Sequence, residues 1–204
     1  MKILRKLYDW VLHWAETPYG PAALFLLSFA EASFFPIPPD VLLIALVLGS
    51  QKKAFKFAFI CTFASVLGAL AGYGIGHFLW WKDSHEFSSI AEFFFSNVPG
   101  FTHKIFYDVK KMYDEWNFWI IFTAGFTPIP YKVFTITGGA FEINLLMFVI
   151  ASIISRAGRF FLVAGLIWKF GEPIKTFIDK YFNWLAIAFT LLLIGGFTVI
   201  KYLI

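Results

Sequence analysis

Cysteine is all but missing. Cys61 is the one example in 204 residues, which excludes an intrachain disulfide and a zinc site built on thiolates. Placed in an apolar run, it reads as a small core residue. Charge is also scarce: Lys, Arg, Asp and Glu make up 15% of the chain, against about a quarter in an ordinary soluble domain. Arginine is scarcer still, with Arg5, Arg156 and Arg159 set against fourteen lysines. The four histidines (His13, His77, His85 and His103) share no ligand spacing, so no metal centre is expected. Neither a GxSxG nor an HExxH set is present. The residues therefore point to no enzyme, no cofactor and no metal.

What is there is apolar. The chain is 59% hydrophobic with a mean hydropathy of +0.73, and several stretches reach the roughly 18 residues that suggest a membrane span. A single membrane domain over 1–204 is the expectation. In that setting the formal charge of +4 reports on orientation rather than on nucleic acid. At the start, Asp9, His13 and Glu16 interrupt the apolar core that a signal peptide needs. Leu4, Leu7, Tyr8, Val11 and Leu12 instead follow helical spacing, predicting an amphipathic helix over 1–17 that lies in the membrane interface.

Apolar stretches cover 22–49, 54–81, 116–143, 145–168 and 181–203, and 82–115 is a polar segment. Gly68, Gly72 and Gly76 put a smooth strip on one helix face, where a neighbouring helix can approach closely. The same run, GYGIG, is part of a dinucleotide-loop pattern, but it lies inside a span with no strand before it. The stretches 22–49 and 116–143 are broken by proline. Residues 22–35 make a helix of about 21 Å and 40–49 one of about 15 Å, and neither crosses a hydrocarbon layer of about 30 Å. Lys2, Arg5 and Lys6 precede the first stretch and Lys52, Lys53 and Lys56 follow it. Keeping both clusters cytoplasmic makes 22–49 a hairpin that re-enters on its own side.

The span 54–81 then runs outward to an acidic 82–115 segment. A second hairpin at 116–143 enters from outside, 145–168 returns, and 181–203 crosses last. The two breaks align without gaps: FFPIPPDVLLI on FTPIPYKVFTI, at an offset of 92 residues. Pro36 falls on Pro128, Pro38 on Pro130, and Asp40 on Lys132. Together with Pro39, these prolines are candidate gates. Paired, proline-broken segments in opposed halves suggest an inverted repeat with a transport site at the midplane. The expected fold is thus all-α and polytopic, with two opposed re-entrant hairpins.

Five ionisable residues fall well inside the apolar stretches: Glu31, Asp40, Lys132, Arg156 and Arg159. Each costs about 2.5–3.5 kcal/mol at the centre of an inserted helix, so such groups are functional candidates; structural ion pairing is the competing reading. Arg156 and Arg159 share a helix face, each being too deep to snorkel, with Arg156 about 18 Å of helix from Asn144. Arginine suits bidentate contact with carboxylate or phosphate, and Ser155 and Gly158 add a hydroxyl and room. Three cations against two acids accept an anion when a carboxylate protonates or swings away. Withdrawal from water favours the neutral carboxyl, which makes Glu31 and Asp40 candidate proton carriers. Both acids lie in one hairpin beside bases, which argues against an intramembrane aspartyl protease.

At EASFFPIPPD (31–40), GALAGYGIG (68–76), FTPIPYKVF (126–134), Gly138–Gly139 and SRAGRF (155–160), the chain resembles the DedA family. Its shared region is the VTT (SNARE-associated Golgi protein) domain, and the likeness is to the small YqaA-like branch, over about residues 20–170. The resemblance implies a multi-pass protein of the bacterial inner membrane that moves polyprenyl-phosphate or phospholipid between leaflets, with proton coupling in some members. It places Glu31 and Asp40 on the family's membrane acids and Arg156 and Arg159 on its arginine pair. Many members carry GRFxPxxR at the second hairpin; here Gly125 takes the place of the first Arg, and Lys132, one position past the second, is the cation that stands in for it. The functional expectation is a lipid-phosphate flippase with Arg156, Arg159 and Lys132 on the phosphate. Its partners are then membrane lipid and protons, without nucleic acid and compatible with an oligomer. A small-solute/proton antiporter and a non-transporting assembly factor use the same residues.

Overall fold

The computed structural model describes residues 14, 17–35, 38–82, 86–97, 102–127, 129–171 and 173. The expected interfacial helix over 1–17, apart from Trp14 and Thr17, and the expected span 181–203 lie outside these residues. Among the described residues the structure is helical, apart from one bridge between Trp81 and Phe87.

The first apolar stretch forms two short helices, α1 (Gly20–Ser33) and α2 (Asp40–Gly49). Pro21 opens α1, where its fixed φ suits the first turn. The helix stops at Ser33, and Phe34 and Phe35 both donate their backbone N–H to Ala30 O. Phe35 precedes Pro36, and a residue before proline is pushed out of the α region. A 3₁₀ turn at Gln51–Lys53 leads into α3 (Ala54–Trp80). The GYGIG run lies wholly inside α3, which removes the dinucleotide-loop reading.

The polar segment folds further than the sequence suggested, into α4 (Ser89–Asn97) and the first half of α5 (His103–Phe126). Helix α5 carries a kink at Trp116, where φ is −117° and ψ 19°, at the boundary between polar segment and apolar stretch. It ends at Phe126 because Thr127, ahead of Pro128, is extended. The short α6 (Tyr131–Ala140) and the long α7 (Leu145–Phe170) follow. With the turn before it, α3 forms a 30-residue helical stretch, and α7 has 26 residues; both are long and apolar enough to cross a membrane.

Both long helices carry large apolar side chains on their outer faces, in addition to those packed inside such as Phe57, Phe148, Phe160 and Ile167. On α3, Phe55, Phe59 and Phe63 face outward at i, i+4 and i+8, while Ala58, Cys61, Ser65, Gly68 and Gly72 face inward. On α7, Leu146, Ile150, Ile153 and Leu162 face outward, whereas Ser152, Ser155 and Arg156 are buried. Large apolar side chains outside and small or polar ones inside suit a hydrocarbon surround, where helix packing depends on close approach and interhelical hydrogen bonds.

The glycine face of α3 supplies that close approach. A Cβ on Gly68 would run into the backbone of Phe29 in α1, and one on Gly76 into that of Ile136 in α6. From the other side, a Cβ on Gly139 of α6 would strike Tyr73 O and stand 2.9 Å from His77 N. Thr135 Oγ1 of α6 donates to Ala32 O of α1 at 2.8 Å, so α3 holds the two broken segments against each other. The end of the bundle near Trp81 is closed by Tyr73 Oη donating to Ile143 O and Trp81 Nε1 to Ala140 O, both at 2.8 Å. Tyr113 pairs there with Thr137 Oγ1 at 2.9 Å, and burial pushes its phenol up to about 12, so it stays neutral.

Gly76→Ala and Gly139→Ala are expected to destabilise the protein by about 1–3 kcal/mol or more through overpacking. Gly165→Ala, with nothing within 4 Å of its added Cβ, is expected to be neutral or to stabilise by about 0.5–1 kcal/mol. Thermal melts of the detergent-solubilised variants check the contrast; equal melting points for all three would contradict this packing.

Candidate functional site

Both proline-bearing breaks open onto one cavity of about 160 Å³. Glu31 reaches it from the last turn of α1, Asp40 from the first residue of α2, Lys132 from the first turn of α6, and Arg156 and Arg159 from the middle of α7. Phe35, Pro38, Ile129 and Pro130 complete the lining. The five ionisable residues that lie well inside the apolar stretches, spread over 129 positions of sequence from 31 to 159, thus share one small space.

They do not share it equally. Arg156 is buried and engaged on every side. Its Nη2 donates to Glu31 Oε2, its Nε to Ser65 Oγ at 2.6 Å, and its Nη1 to Gly125 O at 3.4 Å. The guanidinium carbon lies 4.5 Å from the centre of the Tyr131 ring and 5.0 Å from that of Phe160, so cation–π attraction adds to the hydrogen bonds. Tyr131 is held in turn by donating to Ser152 Oγ at 2.6 Å, which donates onward to Phe148 O.

Arg159 and Asp40 form the second pair. Nε meets Oδ1 at 3.0 Å and Nη2 meets Oδ2 at 2.9 Å, a bidentate fork, while Nη1 donates to Thr127 O. Exposure separates the pairs: the side chains of Arg156 and Glu31 are 3% and 11% exposed, those of Arg159 and Asp40 15% and 19%. The first pair is the more deeply buried. The second has an open edge on the cavity.

Lys132 lines the cavity half-buried and makes no ion pair among the described residues. The alignment of the two breaks set Asp40 opposite Lys132 as an expected contact, and the structure gives Asp40 to Arg159 instead. Positions that align in sequence need not touch, and the guanidinium matches both carboxylate oxygens where an ammonium meets them as a point charge. Ser155 also differs from expectation. It turns towards α5, where a Cβ on Gly125 would strike its hydroxyl, and does not line the cavity. Of the candidate gates, Pro38 and Pro130 border the cavity and Pro39 precedes α2. Pro36 and Pro128 lie outside the described residues.

The backbone contributes charge as well. Helices α2 and α6 both begin at the cavity, and neither start is capped by a side chain. Their first-turn amides and the positive ends of their dipoles favour an anion. Together with Arg159, Lys132 and a net charge of +1 over the five side chains, the cavity is suited to one small oxyanion in contact with exchangeable donors.

No family model matches the chain, and no solved structure matches it. It is similar to an uncharacterized protein of Haemophilus influenzae, 34% identical over 203 residues, covering 98% of this chain and 100% of that protein. An uncharacterized protein of Histophilus somni is 35% identical over 202 residues, again with 98% and 100% covered. The chain belongs to their family. An uncharacterized protein of Methanocaldococcus jannaschii is 30% identical over 142 residues, covering 69% of this chain and 79% of that one.

Sequence reasoning missed the groups that hold the guanidinia: Ser65, the carbonyls of Gly125 and Thr127, and the rings of Tyr131 and Phe160. Ser65 lies on the helix face of Gly68, Gly72 and Gly76, so a lone hydroxyl on a small-residue strip was the available signal. Backbone carbonyls carry no such mark. Arg156→Ala or Glu31→Ala is expected to cost about 3–5 kcal/mol, since either leaves a buried charge unpaired. Arg156→Lys should fail to restore stability, because an ammonium cannot reproduce the fork between Glu31, Ser65 and Gly125. Asp40→Ala, at the open pair, should cost distinctly less. Unfolding midpoints in detergent measure all four.

Proposed function

We propose that this protein is a multi-pass translocase of the bacterial inner membrane that moves lipids through their phosphate headgroup, a function consistent with its resemblance to the DedA family. One observation carries the reading: the intramembrane charges of two broken segments and one span converge on a single cavity with a net positive charge. A lone structural salt bridge would not need a third cation or two uncapped helix starts.

A match in element spacing between the two halves of the chain supports it, and we read that match as an inverted repeat. Adding the 92-residue offset to α2 gives 132–141, against 131–140 for α6, and adding it to α3 gives 146–172, against 145–170 for α7. Applied to α1 it gives 112–125, which overlaps the apolar half of α5. The packing follows the same exchange, since α1 lies on α3 as α5 lies on α7, and α6 lies on α3 as α2 lies on α7. Sites between such repeats, at broken helices, suit alternating access.

In this mechanism Asp40 occupies the place of the ligand in the resting state. A phosphate entering the cavity takes over the Arg159 fork, assisted by Lys132 and the first-turn amides of α6. Protonation of the freed Asp40 removes the competing charge, and return of the carboxylate expels the headgroup. Arg156 and Glu31 stay paired and keep the wall in place, with Glu31 a second proton acceptor only when that pair opens. The proline-bearing breaks between α1 and α2 and between α5 and α6 let α2 and α6 tilt about the site. A small-oxyanion/proton antiporter is the second reading, favoured by the cavity volume of about 160 Å³, which is enough for a headgroup but not for a chain.

Reconstitution into liposomes with labelled polyprenyl phosphate and phospholipid, under an imposed pH gradient, tests the proposal. Arg159→Ala is expected to lower leaflet exchange by at least about tenfold, the scale of losing one charge-assisted fork, and Asp40→Asn to remove its dependence on the gradient. An Asp40→Arg/Arg159→Asp exchange should keep the fold and abolish transport. Wild-type rates for Arg159→Ala would sink the lipid reading, as would phosphate uptake without leaflet exchange. Full activity of the charge-exchanged variant would favour an assembly role.

A further inference from the structure

A second cavity, of about 650 Å³, runs along the outward face of α1. Its walls are almost wholly apolar: Ala23, Leu26, Leu27 and Ala30 from α1, with Phe35 and Leu42 from the first break and α2. Phe35 borders this groove and also the charged cavity, and it is the residue common to both linings. Its position is fixed by the backbone, since its N–H donates to Ala30 O at 2.7 Å, one residue further back than a regular helix turn. A charged recess and an apolar trough about four times larger therefore meet at one aromatic side chain.

We infer that the groove holds the hydrocarbon chain of the ligand whose phosphate sits in the charged cavity, with Phe35 as the divider. The inference rests on the reading that this cavity accepts a phosphate headgroup. Neither space alone suits an amphiphile: the charged one has no room for a chain, and the groove's lining carries no charged side chain. Joined at Phe35, they match a molecule with one small anionic end and one long apolar end. The occupant is thus a lipid monophosphate whose chain leaves the head along α1, and the ligand is selected by chain as well as by charge. Ala23 and Ala30, at i and i+7, lie on one face of α1 and give the groove its depth, because larger side chains there would fill it.

The full chain in phosphatidylcholine nanodiscs, photolabelled with a long-chain alkyl phosphate bearing a diazirine at its far end, tests the inference. Mass spectrometry is expected to place adducts on residues 22–30 and 42. Ala23→Leu/Ala30→Leu should lower this labelling by at least about fivefold, the effect of excluding a few methylenes, while leaving the thermal melt near that of wild type. A second, milder variant, Ala30→Val, should lower it less. Arg159→Ala should lower it too, because the head anchors the chain. Adducts spread evenly over the outward faces of α3 and α7 would overturn the inference, as would labelling unchanged by the filled groove. Groove labelling that is indifferent to Arg159→Ala would also overturn it, since the chain would then be bound without its head. Labelling of the expected pattern in a protein that exchanges no lipid between leaflets would leave this binding mode standing and remove the translocation reading.

Discussion

The guanidinium of Arg156 decides where most of the other elements can go. It sits on α7, donates to Glu31 of α1, Ser65 of α3 and the Gly125 carbonyl of α5, and lies against the Tyr131 ring of α6. A charge in an apolar interior is tolerated only with its hydrogen bonds met. The five helices must therefore approach until each partner is within reach of one planar group. That requirement explains the small residues around it. A side chain on Gly125 would strike Ser155, and one on Gly72 would strike Thr135, so the backbones come together only because these positions carry none.

Rigidity at Arg156 gives the neighbouring pair its meaning. Arg159 stands one turn along the same helix, bound to Asp40 by two hydrogen bonds, but with an open edge and a nearby lysine outside any ion pair among the described residues. One arginine thus fixes the frame, and the other presents a fork held by an exchangeable acid. The broken segments serve both purposes. Their proline-bearing links end α5 where the Gly125 and Thr127 carbonyls meet the guanidinia and end α1 just after Glu31, and they start α2 and α6 where amides favour an anion.

Apolar surface is disposed to match. Phe55, Phe59 and Phe63 of α3 and Ile150, Ile153 and Ile154 of α7 face away from the bundle, while Ser65, Ser152, Ser155 and Arg156 face into it. Hydrocarbon rewards such an exterior, and it makes unpaired polar groups inside costly enough that they must find one another. The groove beside α1 belongs to this exterior yet reaches the charged interior at Phe35, so the two environments are continuous at one side chain.

Much of this was legible in the chain. Proline positions and apolar lengths placed α1, α2, α3 and α7 to within about two residues, because a missing backbone donor and a fixed φ act locally. The charged residues stood out because an apolar run offers them no solvent. The helices within 82–115 were not legible as such: their polar faces lack a long apolar stripe, and they are held by an aromatic cluster around Phe87, Phe95 and Phe106. Nor was the pairing within the site. Sequence alone determined that two acids and three bases would share an apolar interior broken at two points by proline. Only the tertiary structure decided that Glu31 goes to Arg156 and Asp40 to Arg159, since that choice depends on interhelical distances set by Gly68, Gly72, Gly76 and Gly125 and on carbonyls that no side chain announces.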